Sequence, residues 1–252
     1  MISVVVLGAG NVGTHLCRAI NDAKNLRLVQ WYNRSESNNS TENTAIEKCY
    51  NLDDLASADV YIIAVSDSAI KQLSDDFPFK NKLVVHTSGS VSMRFLNPKN
   101  RRGVFYPLQT FSKKATLDFK NVPICIESTD KKDRNTLKFI ANALGSPAYL
   151  INSEQRQALH LTAVFVNNFT NQLYRIAHEL TDDKGLDFEI LKPLILETAK
   201  KVQYLSPYMA QTGPAKRHDK KTIKTHLKLL ETHPNYKALY NQLTKSIQKT
   251  HG

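Results

Sequence analysis

The chain opens as an alternation of short, mostly apolar runs with longer stretches in which apolar positions recur every three or four residues. Residues 1–7, 26–32, 59–65, 82–85, 103–106, 123–127 and 148–151 have the length and composition of buried strands. Between them, helical spacing runs through 14–23, 69–75 and 130–144, the last with Leu137, Ile140, Ala141 and Leu144 on one face. A further short helix is expected over 51–58, and a polar surface loop over 35–43. Continuous apolar strands separated by helices predict an α/β domain with a mostly parallel sheet covered on both faces.

That pattern stops near residue 151. Asn152 and Gln155 have the spacing of a capping box, and a helix of nearly thirty residues is expected to follow, to about residue 181. Later helical stretches begin at Asp187, after Asp219 and at Asn235. The organisation read from this is an α/β domain over 1–151 and an all-helical domain over 152–252.

The turn after the first strand sharpens the fold. Gly8-Ala9-Gly10-Asn11-Val12-Gly13 is a G-x-G-x-x-G motif between a strand and a helix, the context that marks a Rossmann-type dinucleotide site. Gly8 allows the tight turn, Gly10 lets a pyrophosphate approach the backbone, and Gly13 lets the helix pack on the sheet. The end of the second strand carries Asn33, Arg34 and Ser35 rather than an acid. An acid there would accept from a ribose 2′-hydroxyl and repel a 2′-phosphate, whereas Arg34 can pair with the phosphate, so NADP is expected over NAD. Ser66, at the third strand's end, is expected near the nicotinamide ribose and to begin the cap of the next helix.

Composition then excludes alternatives. A chain of 252 residues with 41% hydrophobic content can bury a sizeable core, and no apolar run has the length of a membrane span. Three widely spaced cysteines, and an N-terminus that reads as a strand rather than a signal peptide, fit a cytoplasmic protein. The net charge of +11 is scattered rather than gathered into one face with interleaved aromatics, so no nucleic-acid role is expected; it does suit an anionic small-molecule substrate. His218, Asp219 and His226 imply no three-ligand geometry, and no metal site is expected.

Several stretches together resemble one family. They are Gly8 to Gly13, Ala64-Val65, His86-Thr87-Ser88-Gly89, Tyr106 to Phe111, His160 through Asn168, and Thr212-Gly213-Pro214-Ala215-Lys216-Arg217. A Rossmann domain joined by a long helix to a helical tail resembles the 6-phosphogluconate dehydrogenase-like superfamily, and within it bacterial NADP oxidoreductases with a C-terminal domain of unknown function, related to pyrroline-5-carboxylate and ketopantoate reductases. The resemblance implies hydride transfer between NADP and a small, carboxylate-bearing carbonyl or imine metabolite, a 2-oxo acid such as ketopantoate being the first guess. It adds Val65 to the cofactor residues and implies a homodimer.

Relatives in the superfamily often carry a catalytic lysine one turn before an asparagine on the long helix. Asn168 fits the asparagine, but Val164 and Ala163 stand where the lysine would be. Two histidines compete for the proton donor: His86, at a strand end expected to face the cofactor, and His160, two turns before Asn168. Thr212 and Gly213 before an expected helix start suggest an anion seat, with Arg217 adding charge. The missing lysine also sustains a rival reading, a catalytically silent NADP-binding sensor or partner protein.

Overall fold

The structure is a computed structural model and describes residues 1–35, 46–112 and 115–251. The expected loop over 35–43 lies outside these residues but for Ser35, as does the pair Lys113 and Lys114.

Among the described residues, eight strands form one sheet: β1 Ile2–Leu7, β2 Leu26–Tyr32, β3 Lys48–Cys49, β4 Val60–Ile63, β5 Leu83–His86, β6 Arg101–Pro107, β7 Ile124–Ser128 and β8 Ala148–Leu150. Their order is β3-β2-β1-β4-β5-β6-β7-β8, all parallel except the antiparallel β6–β7 pair. Helices α1 Asn11–Asp22, α2 Asp67–Asp76 and α3 Lys131–Ala143 are interleaved with them.

Strand β1 shows why this sheet forms. Val4, Val5, Val6 and Leu7 are all fully buried. Val4 and Val6 join Leu16 and Ile20 of α1 and Leu137 and Ile140 of α3 in one core. Val5 and Leu7 point the other way, into a second core with Ile70 of α2, Tyr61 and Phe77. Side chains alternate across a strand, so only a run apolar at every position can feed two cores. The chain leaves β1 to β2 on one side and reaches β4 on the other, and the crevice above that reversal is where α/β sheets bind ligands.

The expected helix over 51–58 shrinks to a 3₁₀ turn, Leu52–Asp54. The N–H groups beyond it find partners elsewhere: Ala56 donates to Gln30 Oε1 at 2.9 Å and Ala58 to the Tyr61 hydroxyl at 2.8 Å. Tertiary acceptors thus replace the carbonyls of a continuing helix.

By contacts, the chain divides into two compact units, residues 1–168 and 169–252. The sequence places the change of pattern at 151, and α4 Ser153–Ala163 does begin there, under a capping box of Asn152 and Gln155. A π-helical turn, Val164–Phe169, follows α4, and α5 Thr170–Asp182 continues from it. The second unit is helical throughout: α5, α6 Lys192–Lys201, α7 Pro207–Ala210, α8 Lys220–Leu229 and α9 Pro234–His251. Among its described residues only Ala215, Leu230 and Thr244 are buried.

Candidate functional site

The glycine turn builds the crevice. Gly8 has φ +122°, and a Cβ on it would stand 2.3 Å from the Ala64 carbonyl oxygen. A Cβ on Gly13 would stand 2.1 Å from the Gly8 carbonyl oxygen, so both positions are closed to any side chain by neighbouring backbone. The indole N–H of Trp31 donates to that same Gly8 oxygen at 2.8 Å. Gly10 differs: a Cβ there would come no nearer than 3.9 Å to the protein. Its missing side chain serves open space. Gly10 is also the N-cap of α1, extended and with no side-chain cap, so the first-turn N–H groups and the positive helix end face the crevice.

Two adjoining cavities lie above this turn. One, of about 390 Å³, is lined by Gly8, Ala9, Gly10, Asn11, Val12, Asn33, Ala64, Val65, Ser66 and Thr87. The other, of about 320 Å³, shares Gly8, Asn33, Val65 and Ser66 and adds Tyr32, Arg34, Leu52, Leu73, Gln72 and Asp76. All the expected cofactor residues line them except Gly13, beneath Gly8, and Ser35, whose carbonyl accepts from Asn33 Nδ2 at 2.6 Å. The arrangement fits a dinucleotide: two cavities that share Gly8, Asn33, Val65 and Ser66, with a bare glycine and a helix N-terminus in one and exposed Arg34 in the other. Asp76 in the second cavity is a residue that sequence reasoning missed; Gln72 holds its carboxylate with two contacts of 2.9 Å. Helical i,i+4 spacing was the available signal for that pair.

His86 is not at the cavity rim. It is fully buried, and its Nδ1 accepts from the Ser88 N–H at 3.2 Å. Burial, and then the nearby Arg156 guanidinium, push its pKa down to about 3. It is a neutral core histidine, and the expectation that it faces the cofactor as a proton donor is corrected. Arg156 went unnoticed in the sequence. Fully buried on α4, it pairs with Glu127 of β7 and donates to the Val91 carbonyl. Ser153 donates to the same carboxylate from its N–H and its hydroxyl. These bonds tie the loop after β5 to β7 and to the start of α4.

His160 has the opposite setting. It is half-buried on the wall of a cavity of about 400 Å³, with Tyr106, Gln109, Thr162, Asn167 and Asn168 among its neighbours on that wall. The Tyr106 hydroxyl lies 3.2 Å from His160 Nδ1, and the two rings meet edge to face at 74°. The π turn widens the helix locally, and both Asn167 and Asn168 reach this cavity. The structure therefore brings together His160 and Asn168 and leaves His86 apart from them.

Thr212, Gly213 and Arg217 belong to the second unit. Gly213 has φ +104°, but no helix follows it. Arg217, His218 and Asp219 donate their N–H groups back to Gly213, Ala215 and Pro214, and α8 starts only at Lys220, capped by Asp219. The helix capped by Asp219 thus starts where the sequence places it, and a run of hydrogen-bonded turns separates it from Gly213.

The chain's two parts match two family models: residues 1–111 a Rossmann-like domain, and residues 122–247 a domain of unknown function (DUF2520). Among solved structures, a candidate NADP oxidoreductase from Bacteroides fragilis is 40% identical, covers 98% of each chain and superposes with a TM-score of 0.88. Pyrroline carboxylate reductase from Plasmodium falciparum, solved with NADP bound, is 13% identical over 100% of each chain, with a TM-score of 0.63. An imine reductase from Myxococcus stipitatus in complex with NADP⁺ is 15% identical over 99% of this chain and 96% of its own, with a TM-score of 0.64. The last two likenesses bear on the fold alone. No curated protein sequence matches this one.

Proposed function

The chain belongs to the DUF2520 family, here behind a Rossmann-like domain, and from that premise we propose that it is an NADP-dependent oxidoreductase acting on a small carbonyl or imine compound. The observation that carries the reading is Gly10, a glycine that no described neighbour requires, at a helix N-terminus and on the wall of the larger cavity. The 40%-identical Bacteroides relative, a candidate NADP oxidoreductase, supports the same cofactor.

In this reading the first-turn N–H groups of α1 hold the pyrophosphate and Arg34 pairs with the 2′-phosphate. Bound NADPH supplies a hydride to the substrate's carbonyl or imine carbon. His160 presents an N–H to the heteroatom, which gains a proton made up from water, and Asn168 orients the substrate. A carboxylate-bearing substrate, with a 2-oxo acid such as ketopantoate as first choice, suits a chain whose net charge is +11. Cys17, Cys49 and Cys125, buried and widely spaced along the chain, suit a reducing, cytoplasmic setting.

Titration with NADPH and NADH, followed by fluorescence, tests the cofactor. Arg34→Ala should weaken NADPH roughly tenfold or more, the scale of one lost charge-assisted contact, and leave NADH unchanged. An equal response to both nucleotides removes the role given to Arg34. Oxidation of NADPH with a panel of 2-oxo acids and cyclic imines tests the reaction. Tight NADPH binding with no turnover would favour the silent sensor, the reading that Val164 and Ala163 in the lysine positions keep open.

A further inference from the structure

Tyr106 and His160 are 54 residues apart, and their contact depends on a third position. A Cβ on Gly89 would stand 2.7 Å from His160 Nδ1, 2.8 Å from its Cγ and 2.8 Å from Tyr106 Cζ. All three of the nearest atoms belong to this ring pair. Gly89 has no left-handed φ, so the site uses its missing side chain and not its backbone freedom. Gly89 also stands two residues after Thr87, which lines the cofactor crevice. One short loop thus borders the crevice on one side and the ring pair on the other.

We propose that Tyr106 is the positioning residue for His160: its hydroxyl donates to Nδ1 and keeps the ring proton on Nε2, the nitrogen offered to a substrate heteroatom, while Gly89 is the gap in which the two rings meet. The inference rests on the reading of His160 given above. A neutral imidazole has one donor and one acceptor nitrogen, and the bond made by one decides the role of the other. Burial pushes the Tyr106 phenol up to about 12, so its O–H persists, and at 3.2 Å Nδ1 is within its reach as an acceptor in the tautomer proposed. Without that bond the ring could turn or exchange tautomers, and Nε2 would present a proton only part of the time.

The test reads the tautomer directly. Long-range ¹H–¹⁵N spectra of the histidine rings, recorded near pH 8 where neutral imidazole dominates, are assigned for His160 by comparison with His160→Asn. In the wild type, Nε2 of His160 should carry the proton and Nδ1 should have the shift of an acceptor. Tyr106→Phe, which keeps the ring's volume, should give a mixed population, and Gly89→Ala should do the same by displacing the rings. With NADPH and any substrate that turns over, Tyr106→Phe should lower kcat by about tenfold or more with KM within about twofold, the pattern of lost transition-state contact. A wild-type ring protonated on Nδ1, an unchanged tautomer in Tyr106→Phe, or an unchanged kcat would each overturn the proposal. The spectrum needs neither cofactor nor substrate. A chain that oxidises no NADPH would therefore overturn the functional reading while the spectrum still decides the pairing.

Discussion

His86 shows how one residue's burial becomes a property of the whole protein. Its pKa falls to about 3 in the folded chain, against an ordinary value of about 6.5. Between those values the unfolded chain binds the extra proton, so the neutral ring's contribution is present above about pH 6.5 and is lost as pH falls toward 3. One such proton steepens the loss of unfolding free energy by up to about 1.4 kcal/mol per pH unit. Urea unfolding at several pH values should therefore give a flatter profile for His86→Asn than for the wild type, whatever the offset between them. Parallel profiles would mean that the native ring takes up protons after all. The strand end at His86 was legible in the sequence; the burial was not. His86 is paired between Ile63 of β4 and Val104 of β6, neighbours that no local pattern in β5 announces.

At the scale of elements, the β1–α1 turn separates structure from ligand. Gly13→Ala puts a methyl 2.1 Å from the Gly8 carbonyl oxygen, and since both groups are backbone the helix must move. A loss of about 1–3 kcal/mol is expected, visible as a lowered melting temperature before any nucleotide is added. Gly10→Ala meets nothing closer than 3.9 Å and sits in extended backbone open to any residue, so the fold should keep its stability. NADPH affinity should nonetheless fall roughly tenfold or more, because the methyl occupies the phosphate's approach. Undiminished affinity in Gly10→Ala would refute the cradle. This element was readable because strand, turn and helix are contiguous and their demands are local. The antiparallel direction of β7 was not, because a buried strand shows the same apolar run whichever way it pairs. The Tyr106–His160 contact was hidden for a related reason: each residue looks ordinary in its own element, and only the packing of α4 brings them within reach.

For the whole molecule, the second unit raises the question of what covers it. Ile190, Leu194, Leu196, Tyr204, Tyr208 and Met209 are each more than half exposed, while only three described residues of that unit are buried. Helices with so much apolar surface in water are stable only when something else removes that surface from solvent. No described helix is long and apolar enough to cross a membrane. A second copy presenting the same face satisfies the need with one closed, two-fold contact, so a homodimer is proposed. Light scattering should give twice the 28.5 kDa chain mass at micromolar concentration, and the melting temperature should rise with protein concentration, as binding to the native state alone requires. Leu194→Glu, at a side chain already 62% exposed, should cost the monomer little of its own packing yet release it from the dimer. Raised salt should not dissociate the wild type, because an apolar contact is not screened. A wild-type monomer with a concentration-independent melting temperature would sink the proposal and leave the apolar face to some other partner.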